Sequence, residues 1–354
     1  MRVLVVSEEI THRPFEGLLV FVMHLCRFLS DRTELTVLHE RGEPEEDIDA
    51  RRITGNGPLA GLPLLKHFRN NRYKLLVYIP DTGISRRGFA RSALLKKLSG
   101  APLCMIALQS GEIGRLQRAL AAFSHPDLML SPVEDMSEEI EDLGVKTDFM
   151  MPGVDTGLFA PVDRERSLML RKRYSLPADR FIVLHVGHIA ESRGLQAFLR
   201  YREWGPDVQP VVKAGNVDPA WAERLRQAGV IVIDEYIDDI HEIYQASDLY
   251  LFPVSERLGA LEFPLSVIEA ASCGLPVITT RFGALPSVLD DCPRLAWYSN
   301  SGELPSLIGD ARSAGASPAG SLPPFDLSWD SVFERYLMPH VDALSGRYDG
   351  GGRG

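Results

Sequence analysis

Short apolar runs rich in β-branched residues alternate with amphipathic helical stretches along almost the whole chain, and that rhythm leaves few folds open. In the first half it predicts strands at Val3–Val6, Leu35–Leu38, Leu75–Ile79, Leu103–Leu108 and Leu128–Leu130. Helices are expected at about Leu19–Leu29 and Ser137–Leu143. The scheme then starts again, with strands at Ile182–Val186, Val211–Ala214, Ile231–Ile233, Leu249–Phe252 and Val277–Thr279. Strands alternating with helices form parallel sheets, so two Rossmann-like α/β domains are expected. A length of 354 residues suits two such cores. Met151–Asp163, rich in Pro, Gly and Asp, reads as the linker between them, and Ser313–Pro324 as a second linker. The expected divisions are an N-terminal domain over 1–155, a second over 156–325, a helix over 326–345 and a disordered tail over 346–354.

Composition excludes several classes. A formal net charge of −10 is unsuited to coating nucleic acid, which requires a basic surface. No apolar run approaches the roughly 18 residues that span a membrane. The N-terminus MRVLVVSEEI reads as a buried strand, so a cytoplasmic location is expected. Cys26, Cys104, Cys273 and Cys292 form no CxxC pair and read as buried thiols. Ser7-Glu8-Glu9-Ile10 follows the first strand where a dehydrogenase would carry GxGxxG, and Walker A, HExxH and GxSxG are absent. Charge is uneven: between Lys66 and Lys97 there are nine Lys or Arg and one acid, Asp81. This run is either a set of solvated helix faces or a surface for an anionic acceptor or membrane, with Phe89, Leu94, Leu95 and Leu98 on one side and Arg86, Arg87 and Arg91 at its border.

Leu251–Thr280 carries the densest chemistry. Glu262 precedes a helix, and Glu269 lies seven residues on, about two turns. Between them Phe263, Pro264, Leu265 and Ser266 form a helix entry whose N–H groups and positive dipole end suit a phosphate. A buried helix with a capped or solvated Glu269 would read the same way. Glu269-Ala270-Ala271 followed by Gly274-Leu275-Pro276-Val277 resembles the signature of the retaining GT-B glycosyltransferases of family 4. Pro152-Gly153-Val154-Asp155 and Phe159 resemble that family's interdomain hinge. Leu261 and Pro264 depart from the signature, leaving Glu262 one place late.

The resemblance implies an α/β GT-B fold: two Rossmann-like domains facing across a cleft, and a C-terminal helix, Trp329–Leu344, returning to the first domain. It implies retaining, metal-independent transfer of a sugar from a nucleotide diphosphate donor, UDP- or GDP-linked, without a cofactor. Glu269 would hold the ribose and Glu262 would read the donor sugar. Gly187-His188 and Arg193-Gly194, around a strand-end loop, would clamp the diphosphate, His188 standing where the family has Arg. Gly17 would let the other domain approach the diphosphate, although a plain helix start fits it as well. Gln109 stands near the position of a family His that touches the sugar, and Lys213-Ala214-Gly215-Asn216 would line the nucleotide pocket. Catalysis would thus fall to Arg193, His188 and Glu262, and donor binding to Gly17, Gly187, Gly215, Asn216, Phe263, Leu265, Ser266 and Glu269. The acceptor is unassigned, with an anionic or lipid-linked molecule and peripheral membrane contact through 66–97 in view. A catalytically silent nucleotide-sugar-binding subunit, or a GT-B epimerase or phosphorylase, would carry much the same residues.

Overall fold

The computed structural model describes residues 1–11, 16–44, 46, 48–53, 61–111, 114–115, 118–119, 124–132, 137–256, 261–314 and 326–348. The chain forms two compact units: residues 1–153, 261–263 and 329–354 make the first, and 154–260 with 264–328 the second. Residues 349–354 of the expected tail and most of the Ser313–Pro324 stretch lie outside the described residues, whereas 346–348, expected as disordered tail, end a helix.

In the first unit, strands β1 (Arg2–Glu9), β2 (Glu34–Arg41), β3 (Ala50–Arg52), β4 (Leu75–Ile79), β5 (Leu103–Ile106), β6 (Leu128–Ser131) and β7 (Lys146–Phe149) form one sheet in the order β3-β2-β1-β4-β5-β6-β7. Every pairing is parallel. The central strands β4 and β5 are buried and apolar along their whole length, as in parallel sheets covered on both faces. β3 and β7 escaped the sequence reading: both are edge strands, partly open to solvent, with no apolar run to announce them.

Helix Gly17–Ser30 buries Phe21, Val22, Leu25, Cys26, Phe28 and Leu29, a stripe of helical period. Against it packs helix Trp329–Tyr336, followed by Met338–Tyr348, two helices where one was expected. Phe21 meets Trp329 and Phe333 edge-on at ring-centre distances of 5.9 and 5.6 Å, and Arg32 pairs with Glu334 at 3.0 Å.

The basic stretch expected either as solvated helix faces or as a surface for an anionic acceptor or membrane contains a helix whose apolar side is packed. Helix Arg86–Ser99 starts at Ser85, whose hydroxyl accepts from the Gly88 N–H, and stops at Gly100, φ +67°. Phe89 and Leu95 are core residues, and Leu94 and Leu98 lie against that core. Arg91 is 1% exposed and donates to Glu8 (3.0 Å) and to Glu40. Glu8 accepts also from the Tyr78 hydroxyl (2.8 Å) and the Asp81 N–H (2.9 Å). The apolar face is therefore domain core, and one border cation is a buried ion-pair partner.

In the second unit, β8 (Phe181–Val186), β9 (Val208–Lys213), β10 (Ile231–Ile233), β11 (Leu249–Phe252), β12 (Val277–Thr279) and β13 (Leu295–Trp297) are ordered β10-β9-β8-β11-β12-β13, again all parallel. The chain winds outward from β8 in both directions, so the β8/β11 boundary is the topological switch point where open sheets bind ligands. Arg171, on helix Arg164–Arg173, is 1% exposed, donating to Asp248 (2.6 Å) and the carbonyls of Ala246 and Arg180. The unit's two ends are joined by the Val154 N–H and the Leu327 carbonyl (2.9 Å).

Candidate functional site

At the carboxyl end of β8 the Gly187 N–H donates to the Lys213 carbonyl (3.0 Å), so the strand leaves the sheet beside the end of β9. A Cβ at Gly187 would lie 2.9 Å from Nε2 of His185, which explains a residue without a side chain. The loop is then pinned, Ile189 N–H to the Asn216 carbonyl and Asp218 N–H to the Ile189 carbonyl, both 2.9 Å. Exposed Gly215 and Asn216 thereby stand alongside Gly187 and His188. A single 3₁₀ turn, Glu191–Arg193, ends at Gly194. Gly194 has φ +68°, and a Cβ there would stand 2.0 Å from the Pro253 carbonyl oxygen, so only glycine lets the loop close onto the end of β11.

Arg193 and His188 are both half-buried, and burial pulls the Arg193 guanidinium below the usual arginine value. His185, 1% exposed, is pushed down to about 4, chiefly by burial, with the Leu251 carbonyl opposing and the positive charges of Arg193 and His188 adding to the depression. Arg193 and His188 both sit on the loop that leaves the carboxyl end of β8. Because Nδ1 of His185 faces a carbonyl (3.1 Å), the proton is assigned to Nδ1 and Nε2 is an acceptor.

Helix Leu265–Ser272 begins after Pro264 with no side-chain cap, so the positive end of its dipole is not neutralised there. Tyr250 ties this entry to β8: its hydroxyl donates to the Val186 carbonyl (3.2 Å) and is hydrogen-bonded with Ser266. One turn further along, Glu269 is half-buried and accepts from the Tyr244 hydroxyl at 2.7 Å. Burial pushes its carboxyl up to about 7 against the effect of that hydrogen bond.

The second unit therefore gathers Gly187, His188, Arg193, Gly215, Asn216, Leu265, Ser266 and Glu269 around the ends of β8, β9 and β11. The remaining residues belong to the first unit. Glu262 is 1% exposed, its N–H bonded to the Leu108 carbonyl (3.0 Å), and Phe263 is fully buried. The two carboxylates read as facing one ligand thus differ in setting: Glu269 lies on the helix of the second unit, and Glu262, which precedes that helix, belongs to the first. Gln109 is half-buried, its carbonyl accepting from the Ile84 N–H (3.2 Å). Gly17 opens its helix next to residues outside the description. His185, Tyr244 and Tyr250 were missed, since within apolar runs they read as core. Among the described residues no group of three or more His, Cys, Asp or Glu is placed to hold a metal ion, and no helix is long and apolar enough to cross a membrane.

Residues 180–302 match the family model described as Glycosyl transferases group 1. A D-inositol 3-phosphate glycosyltransferase of Mycolicibacterium smegmatis is 28% identical over 217 residues, 56% of this chain and 48% of the relative. The chain spans about half or less of the length of the curated relatives it matches. Among solved structures, a glycosyltransferase from Rickettsia africae superposes with a TM-score of 0.73 at 13% identity, over 98% of both chains. The Anabaena protein HepE in complex with UDP gives 0.70 at 15% identity, over 99% of this chain and 98% of that one. The segment that builds the β8 and β11 strand ends is thus the part that matches the group 1 model, and the chain as a whole has the GT-B fold, two Rossmann-like parallel-sheet units.

Proposed function

We propose that this chain is a glycosyltransferase that binds a nucleotide diphosphate-sugar at the carboxyl ends of β8 and β11 and passes its sugar to an acceptor. The observation that carries the reading is the convergence of Arg193, His188, an uncapped helix start and a half-buried carboxylate at one topological switch point. In this reading Arg193 and His188 meet the diphosphate, aided by the N–H groups of Leu265 and Ser266, and Glu269 accepts from the ribose hydroxyls.

As the glycosidic bond to the donor breaks, negative charge builds on the leaving phosphate oxygen. Fixed positive potential from Arg193, His188 and the helix dipole lowers that barrier without rearrangement. Retention of configuration and metal independence are part of the proposal and rest on the family 4 signature at Glu269–Val277. HepE and its bound UDP support a uridine donor, and the mycobacterial relative supports a polyol-type acceptor.

Incubation of the protein with UDP- and GDP-sugars tests the reading: release of nucleoside diphosphate, slow alone and faster with an acceptor, is expected. Arg193→Ala should abolish the acceleration. Absence of both release and donor binding would refute it, whereas binding without any release would favour a silent nucleotide-sugar-binding subunit.

A further inference from the structure

Lys213, the last residue of β9, is a cation in a strand otherwise apolar at its core, and it is 6% exposed. Among the described residues its ammonium donates to the Ala214 carbonyl (2.8 Å), one acceptor for a group with three N–H donors. Burial lowers its pKa, and the carboxylates of Asp234 and Glu235 act in the opposite sense. In a parallel sheet, side chains in register point to the same face. Lys213 is paired with Val186, Val211 with Leu184, and Leu184 with Tyr250. Lys213 and Tyr250 consequently share one face, with β8 between them. Tyr250 is bonded to Ser266, at the start of the helix that carries Glu269. Two strand spacings, about 10 Å, separate the two lines of residues, on the order of the length of a nucleoside.

A nucleotide whose ribose meets Glu269 and whose diphosphate meets Arg193 can turn its base towards β12 or towards β9 and β10. On the β12 side the Thr279 and Thr280 hydroxyls are already engaged, with the carbonyls of Thr280 and Val254. On the other side stand the Lys213 ammonium, exposed Gly215 and Asn216, and Tyr236, 51% exposed just beyond β10. The geometry points to Lys213 as the residue that reads the donor base: its ammonium donates to the carbonyl at position 4 of uracil or 6 of guanine. Cytosine and adenine carry an amino group there, which presents N–H donors to a donor and leaves the buried ammonium with the Ala214 carbonyl as its acceptor. The inference rests on the donor site proposed above and adds the class of base it admits.

Calorimetric titration of the wild-type protein with UDP, CDP, GDP and ADP tests it. UDP should bind about 10-fold or more tightly than CDP, and GDP than ADP, the scale of one hydrogen bond to a charged group. Lys213→Met, which keeps the aliphatic stem, should weaken UDP and GDP by a similar factor and leave ADP unchanged, with its melting temperature as the control for folding. Equal affinity within both wild-type pairs would overturn the role of Lys213 without recourse to any variant. So would a Lys213→Met protein that loses all four ligands in parallel. If the wild type bound none of the four, the donor-site reading itself would fall.

Discussion

A carboxyl held at about 7 is half-ionised near neutral pH, so the role of Glu269 can be followed by titration. Unfolded, the group has its ordinary value of 4.5; folded, it binds its proton more tightly. Its contribution to stability is therefore fully present below pH 4.5 and is lost as the pH rises through 7. Wild type should lose melting temperature relative to Glu269→Gln between about pH 5 and pH 8. Ribose hydroxyls need the ionised carboxylate, so nucleoside diphosphate affinity should rise over the same window in wild type and less so in the variant. Parallel pH profiles for the two proteins would remove Glu269 from the ribose.

Arg193→Ala should cost about 1.5–3 kcal/mol of nucleoside diphosphate binding, the range for hydrogen bonds to a charged group. Gly194→Ala should weaken binding too, though residue 194 carries no charge. It forces a Cβ against the Pro253 carbonyl at positive φ and so displaces Arg193. Calorimetry on both variants checks this, and unchanged affinity for Gly194→Ala would show that the loop tolerates another shape.

Element boundaries were most readable in short, fully buried strands, although β5 ends at Ile106 and not at Leu108, and β1 runs on to Glu9. The strands at Leu75–Ile79, Leu249–Phe252 and Val277–Thr279 coincide with the observed ones, because a buried strand has to be apolar throughout, and the edge strand Ile231–Ile233 coincides because it happens to be apolar as well. Edge strands β3, β7 and β13 were not readable, since half-exposed residues need no such pattern. Helix Arg86–Ser99 shows a different gap: its periodicity located the helix but could not say that Arg91 faces inward. Only the fold brings Glu8 and Glu40, from β1 and β2, to meet it. The candidate site divides likewise, because Glu269 and Arg193 lie in local motifs, while the partners Tyr244, Tyr250 and His185 come from separate strands and helices. Arg91→Met should destabilise the protein by about 3–5 kcal/mol, since it leaves the Glu8 charge buried without its cation. Exposed Arg86→Gln should change stability by less than about 0.5 kcal/mol. Urea unfolding of the pair measures the contrast, and equal small effects would mean that the Tyr78 hydroxyl and Asp81 N–H suffice for Glu8 without the cation.

At the level of the whole molecule, the first unit is built from three separated lengths of chain, and the last of them covers the Phe21–Phe28 face of its first helix. Trp329→Ala should cost about 3–5 kcal/mol, as for a large aromatic removed from a core. A chain ending at Ser328 should lose hydrogen-exchange protection across Gly17–Ser30 while β8–β13 retain theirs. Loss of protection in both regions would show that the two units unfold as one. The same discontinuity orders events on the ribosome. Emerging first, the strands β1 to β7 can pair, but the aromatic side of helix Gly17–Ser30 stays bare until Trp329 and Phe333 have been synthesised. At translation speeds of roughly 5–20 residues per second, the nearly 300 residues between them expose that oily face for some tens of seconds. A chaperone that shields nascent apolar surface should therefore matter more to the yield of this protein than its final stability would suggest.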